Sequence, residues 1–296
     1  MSLNERNRKK LEEHIFEQNV AHASTYLLET TRQGIRCEKT AIENYETPCL
    51  SRIGGDPDLP PQLEWPQTTD GTPMTFLLQL NLQELVKHDE SSLLPARGML
   101  YFFVGIDEPA YDIEHRVLFL QDDQLVSATR RHSPGETALE EQFAGYQLGA
   151  RATLEPPNYA YVDYDQIETD SFSFEDYEDF RFLLTDMMDH DDVATLFGYP
   201  TGQHDDSEYE AALMLLTGKQ YDYKMEKALH EITAHFAGDE TKAKQEIQDT
   251  LMLVEIESDN EVGFCWWDAG VLQFFIRKED LLAGRFDRTY CSLYSS

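Results

Sequence analysis

The chain has 296 residues, with 41% hydrophobic and 11% aromatic residues, including 15 Tyr and 16 Phe. That supply of apolar side chains builds a sizeable core and excludes global disorder. Against 24 Lys+Arg stand 56 Asp+Glu, a formal net charge of -32, which argues against nucleic acid and anionic membrane as partners because both need phosphate neutralised by cations.

The N-terminus, "MSLNERNRKKLEEH", carries charges where a secretory leader needs an apolar run, and no stretch approaches a membrane span. The four cysteines, Cys37, Cys49, Cys265 and Cys291, form no CxxC pair and are too sparse for a disulfide scaffold. Reduced thiols in the cytoplasm are the expectation. Cys265, in the apolar and acidic setting "GFCWWDAG", is expected to be buried and inert.

In chain order, residues 4–30 read as a helix on the body, since Leu11, Ile15, Val20 and Leu27 recur at helical spacing with no Pro or Gly before Gly34. Residues 1–34 are therefore expected to form an N-terminal helical segment packed on a domain of residues 35–296. Residues 35–50 predict a short strand and a connection. In "SRIGGDPDLPPQLEWP", residues 51–66, the glycines permit positive φ and the prolines stiffen the path. The loop lacks GxxxxGK[ST] and GxGxxG and carries Asp56 and Asp58, so it predicts a rigid corner and excludes a phosphate cradle. "MTFLLQLNLQEL", residues 74–85, alternates Leu78, Leu80 and Leu82 with Gln79 and Asn81 as a half-buried strand does. Further strands are predicted at 99–106 and 115–121. Residues 155–192 hold thirteen Asp or Glu and one basic residue, Arg181, but their aromatics predict an ordered connection. Helices are expected at about 207–217, 223–237 and 239–249, and strands at 251–258 and 269–276. A short helix and tail then close the chain.

The sequence echoes itself. "LLQLNL" at 77–82 resembles "LVEIES" at 253–258, "GMLYFFV" from Gly98 resembles "GVLQFFI" from Gly270, and Gly55-x-Pro57 matches Gly198-x-Pro200. Three matches in one order predict two pseudo-repeated halves, about 50–150 and 190–290, sharing one core. The predicted fold class is α+β, with mixed or antiparallel sheets and flanking helices. Gln79 and Glu255 fall at equivalent places. They are expected to be solvated strand positions; the sharper alternative has them facing each other across a cleft between the halves.

No serine elbow, HExxH or diagnostic carboxylate pair is present, so no catalytic residue and no cofactor are assigned. The triplets His190-Asp191-Asp192 and His204-Asp205-Asp206 suggest a cation site, but adjacent residues cannot all point at one ion, and no metal is predicted. Asp268 reads as a turn residue, with a carboxylate at the mouth of a pocket walled by Trp266 and Trp267 as the functional alternative.

"IGGDPDLPPQLEWP", "GTPMTFLLQLNLQEL", "GMLYFFV", "LFGYPTGQ" and "GFCWWDAGVLQFFIRKEDL" together resemble the bacterial YwqG-like proteins, a domain family of unknown function, over about residues 50–290. The resemblance implies a mixed α+β fold in a cytosolic protein and brings no activity, substrate or catalytic residue. The family's C-terminal motif has Gly where this chain has Trp267, and often Gln where it has Glu255. Gln203 fits the family's turn pattern and His204 does not.

These readings point to a non-catalytic binding module whose acidic surface neutralises a basic protein, as an immunity-type protein does by charge complementarity and steric blockage. The competing class is a small-molecule binder or enzyme with a site between the halves near Trp65, Gln79, Gln203, Glu255, Trp266 and Asp268.

Overall fold

The computed structural model describes residues 3–139, 141–187 and 190–295. The N-terminal segment is two helices, α1 (Glu5–Glu17) and α2 (Ser24–Thr30). Asn4 caps the first by accepting the N–H of Asn7. The single helix expected over 4–30 is broken at Asn19, whose φ of 59° lies in the left-handed region.

Next come β1 (Arg32–Ile42), β2 (Arg52–Ile53), β3 (Asp58–Leu59), β4 (Thr75–Asn81), α3 (Leu82–Leu85), β5 (Met99–Val104), β6 (His115–Leu120), α4 (Asp122–Leu125), β7 (Thr129–Arg130) and β8 (Tyr146–Glu155). Then follow α5 (Tyr164–Ile167), α6 (Phe174–Thr185), β9 (Asp192–Leu196), α7 (Ser207–Thr217), α8 (Met225–His235), α9 (Glu240–Gln248), β10 (Thr250–Glu257), β11 (Val271–Arg277), α10 (Lys278–Leu282) and β12 (Thr289–Tyr294). The fold is α+β, as expected.

Ten strands form one antiparallel sheet in the order β12-β11-β10-β9-β1-β8-β2-β4-β5-β6. The sheet curls until its edges are stitched: Ile113 N–H donates to Cys291 O at 3.0 Å, and Leu293 N–H donates to Ala110 O at 2.7 Å. This nearly closed sheet leaves little unpaired edge. β12 was not foreseen, because the closing segment read as a tail. β8 was also missed, although Tyr146, Leu148, Ala150, Ala152 and Leu154 alternate at strand period. It pairs with β1 over almost its whole length, from Arg32↔Glu155 to Ile42↔Tyr146.

One core spans the sheet. Leu78, Leu100 and Phe102 join Val254, Leu272 and Phe274, and the Phe102 and Phe274 rings meet at 5.1 Å. The other sheet face is covered piecewise. Trp65, Leu59 and Met74 cover Tyr101 and Phe103, Ala211 of α7 covers Met252 and Phe275, and α1, α2 and α6 meet over Leu154. β4 and β10 are therefore buried on both faces. Each carries a bulge, between Phe76 and Leu78 and between Met252 and Val254.

α6 emerges from the acidic stretch because Ser173 and Asp176 form a capping box, a local signature the sequence reading passed over. α7 stops at Gly218, whose φ is 68°.

Candidate functional site

The corner after β2 needs its glycines. Gly54 and Gly55 have φ of 64° and 63°, and a Cβ on either would lie 2.2 Å from Ala144 O or 2.1 Å from the Tyr45 hydroxyl. Beyond the corner, Asp58 is 2% exposed. Its N–H donates to Gln79 Oε1 at 2.8 Å, its carbonyl accepts from the Tyr101 hydroxyl at 2.7 Å, and its carboxylate pairs with Arg52 at 3.0 Å. Arg52 is fully buried and also pairs with Glu43 at 2.8 Å. These acidic residues hold the corner together internally.

A parallel arrangement surrounds the second Gly-x-Pro corner. The N–H of Thr201, the residue after Pro200, donates to Glu255 Oε2 at 2.8 Å, and the carbonyl of Thr201 accepts from Gln273 Nε2 at 2.7 Å. Gln273 also donates to Glu255 at 2.7 Å. Gln79 has no exposed surface and Glu255 has 6%. The expectation that both are solvated fails, because loops and helices cover the face that an isolated amphipathic strand leaves to water. Gln79 clamps the corner after β2 and Glu255 the corner after β9, and no hydrogen bond joins the two.

The remaining sequence candidates separate. Trp65 is buried, donates from Nε1 to Met74 O at 2.9 Å, and packs edge-on against Phe103. It also lines a cleft of about 790 Å³ with Tyr45, Asp56, Phe76, Arg130 and His132. Within that cleft the Arg130 guanidinium lies 3.7 Å from the Tyr45 ring centroid and pairs with Asp56 at 2.7 Å. Trp266 is a core residue against Phe264, 5.1 Å between rings, whereas Trp267 is half exposed, so the two do not wall one pocket. Asp268 is exposed; its N–H donates to Ser295 Oγ, as befits a turn. Gln203 is exposed on the loop before α7. Cys265 is exposed, not buried; all four cysteines are free thiols. Among the described residues, no group of three or more His, Cys, Asp or Glu could hold a metal ion. His190 meets Glu38, and Asp192 pairs with Arg36 and Arg151.

A second cleft, about 250 Å³, is lined by residues of α6, β1, β8, β9 and β10. Sequence reasoning placed only Glu255 of its lining among the candidates. Arg36 forms a forked pair with Glu155, both contacts 2.7 Å, and reaches Asp192 at 3.3 Å. Burial pushes the Glu155 carboxyl up, but the Arg36 charge together with the hydrogen bonds from Arg36 and Thr153 outweighs it and holds the group below its ordinary value. Glu255 and Glu257 behave oppositely. Burial raises Glu255 despite its hydrogen bonds, and burial together with the Glu255 charge pushes Glu257 up to about 7. Among the described residues neither carboxylate has an ion-pair partner, and Glu257 makes no side-chain hydrogen bond. The alternation Glu255-Ile256-Glu257 puts both on one strand face; the residues opposite them come from distant segments.

No helix among the described residues is long and apolar enough to cross a membrane. No curated protein matches the chain. Residues 51–294, from the corner through the last strand, match one family model, and the chain belongs to that family, described as "Domain of unknown function (DUF1963)".

Proposed function

We propose that this protein is a non-catalytic binding module that engages a basic protein through an acidic surface. The observation carrying this reading is where the cations go. Arg32, Arg36, Lys39, Arg52, Arg151, Arg181 and Arg277 all have side chains no more than 28% exposed and are paired internally with carboxylates. These seven of the 24 Lys and Arg are spent inside, which leaves seventeen to set against the remainder of the 56 Asp and Glu, and the net charge of -32 supports an acidic exterior. Such a field accelerates encounter with a basic partner and repels acidic ones. The test is affinity capture from the source organism at low salt, followed by reconstitution with pure components. A basic partner that binds saturably at 1:1, with affinity falling as salt rises, is expected. Recovery of none, or of a partner indifferent to salt, overturns the reading.

The scaffold reads as two related halves sharing one core. Gln79 faces Tyr101 in the ladder as Glu255 faces Gln273, the bulges fall at Leu77 and Leu253, and Asp58 and Thr201 are clamped alike. This favours an internal duplication. The cytoplasm is the expected compartment, in keeping with four free thiols.

The cleft beside Trp65 supports a second reading, a small-molecule site. Its volume and its aromatic walls with a few fixed charges are those of ligand pockets. A thermal-shift screen with metabolites and nucleotides checks it, because a tight ligand stabilises the fold by mass action.

A further inference from the structure

We propose that the cleft between α6 and the end of β10 receives an arginine side chain of the basic partner, seated against Glu255 and Glu257. This rests on the basic-partner reading and gives it a location.

The first argument is charge balance inside the cleft. The direct ion pairs of Arg36 go to Glu155 and Asp192, and Arg181 pairs with Glu178 through one terminal nitrogen while its buried Nε has no hydrogen-bond partner. Glu255 is bonded only to the neutral groups of Thr201 and Gln273, and Glu257 makes no hydrogen bond or ion pair among the described residues. Four carboxylates, Glu155, Glu178, Glu255 and Glu257, thus line one cavity with two cations, Arg36 and Arg181, and neither Glu255 nor Glu257 has a direct ion pair among the described residues. Buried charge of one sign is costly unless an opposite charge is supplied. A third acceptor, Glu178 Oε1, is buried and has no hydrogen-bond partner.

The second argument is shape. At roughly 30 Å³ per water the cavity holds about eight waters, room for a guanidinium head and part of its stem. A guanidinium donates along several directions in one plane and stacks on aromatic faces. Here Tyr159 and Phe182, 42% and 37% exposed, line the same cavity as the carboxylates. A metal ion is disfavoured, since the carboxylates do not converge into a ligand set. Phe174, Glu178 and Phe182 recur every four residues on α6, so they share one helix face. Exposed aromatics beside a charged cavity are typical of protein interfaces.

The third argument is protonation. Glu257 is pushed up to about 7 by burial and by Glu255; Arg36 opposes this, while Asp192 and Glu155 reinforce it. The pocket is therefore partly neutral at pH 6 and ionised at pH 8, and its hold on a cation strengthens across that interval.

The probe is a capped tetra-arginine peptide titrated calorimetrically at 20 mM salt against wild type, Glu257→Gln and, as a charge-matched control, Glu226→Gln on α8. A citrulline peptide and free arginine serve as comparisons. We expect saturable binding with affinity several-fold higher at pH 8 than at pH 6. Glu257→Gln should weaken it about tenfold at pH 8 and remove the pH dependence, while Glu226→Gln changes it less than about twofold. The glutamine side chain mimics the protonated carboxyl, so the variant is expected to fold, and its melting temperature verifies that. Equal losses in the two variants, binding of the citrulline peptide, or tighter binding of free arginine than of the peptide would each overturn the cleft assignment and leave the basic-partner reading standing. No binding to wild type at either pH would remove both.

Discussion

Gln79 accepts the backbone N–H of Asp58 at 2.8 Å, which makes a fully buried strand amide the anchor of the corner formed by Gly55, Asp56 and Pro57. The same amide group donates to Leu50 O at 2.7 Å and to the Asp58 carboxylate at 3.0 Å, so its oxygen and both its donor hydrogens serve the scaffold. Glu255 does the equivalent work for Thr201, but with a charged group.

That difference separates two substitutions. Gln79→Ala leaves the Asp58 N–H and the Leu50 carbonyl buried without partners and opens a cavity, and should cost about 2–4 kcal/mol. Glu255→Gln keeps an acceptor for Thr201 and removes a buried charge, so it should cost far less than Gln79→Ala, and its effect should become more favourable as pH rises because burial raises the Glu255 carboxyl. Urea unfolding near pH 5 and near pH 8 measures each difference.

Glu257 should dominate a pH effect on stability. Its carboxyl is raised in the folded protein to about 7 from an ordinary value near 4.5. A group raised on folding contributes stability that is fully present below the unfolded value and lost as pH rises through the folded one. Wild type should therefore lose about 2 kcal/mol between pH 4.5 and 8 from this group, allowing for its partial exposure. Glu257→Gln should abolish that loss and unfold at a higher temperature than wild type at pH 8 but not at pH 4.5. Parallel melting curves check it.

Trp267 occupies left-handed backbone, with φ of 53°. A side chain is strained there and glycine is not, which accounts for the glycine that the resembling family carries at this position. Trp267→Gly should be more stable than Trp267→Ala by about 1 kcal/mol, the reverse of their order in an ordinary extended segment. Thermal denaturation of the two variants decides it.

The thiols should react in a definite order. Burial pushes Cys37 up to about 12 and raises Cys291, and burial with the Asp58 charge pushes Cys49 up to about 11. Cys265 is exposed. A thiol reagent at pH 8 should modify Cys265 first in the native protein and all four only in denaturant, and Cys265→Ser should remove the fast phase.

Much of the scaffold was legible because its signals are local. α7 to α9 lie close to the helices expected at about 207–217, 223–237 and 239–249, and β4, β5, β10 and β11 follow their apolar runs. The two Gly-x-Pro corners were readable because only a few residue types tolerate that backbone. α6 and β8 carried signals of the same kind, the capping box at Ser173 and the alternation from Tyr146, and needed only to be counted.

The site was not legible for a different reason. A polar residue in an alternating strand looks solvent-facing until one knows what covers the strand, and the covers of Gln79 and Glu255 come from distant parts of the chain. The Arg36–Glu155 fork joins positions 119 residues apart, and the sheet's edges close through Cys291 and Ile113. Composition and periodicity determined by themselves that the chain is acidic, α+β and built around aromatic strands. Tertiary packing alone decided which charges are compensated, because pairing depends on distance in space, and it left Glu255 and Glu257 in a cavity without a direct ion pair of their own.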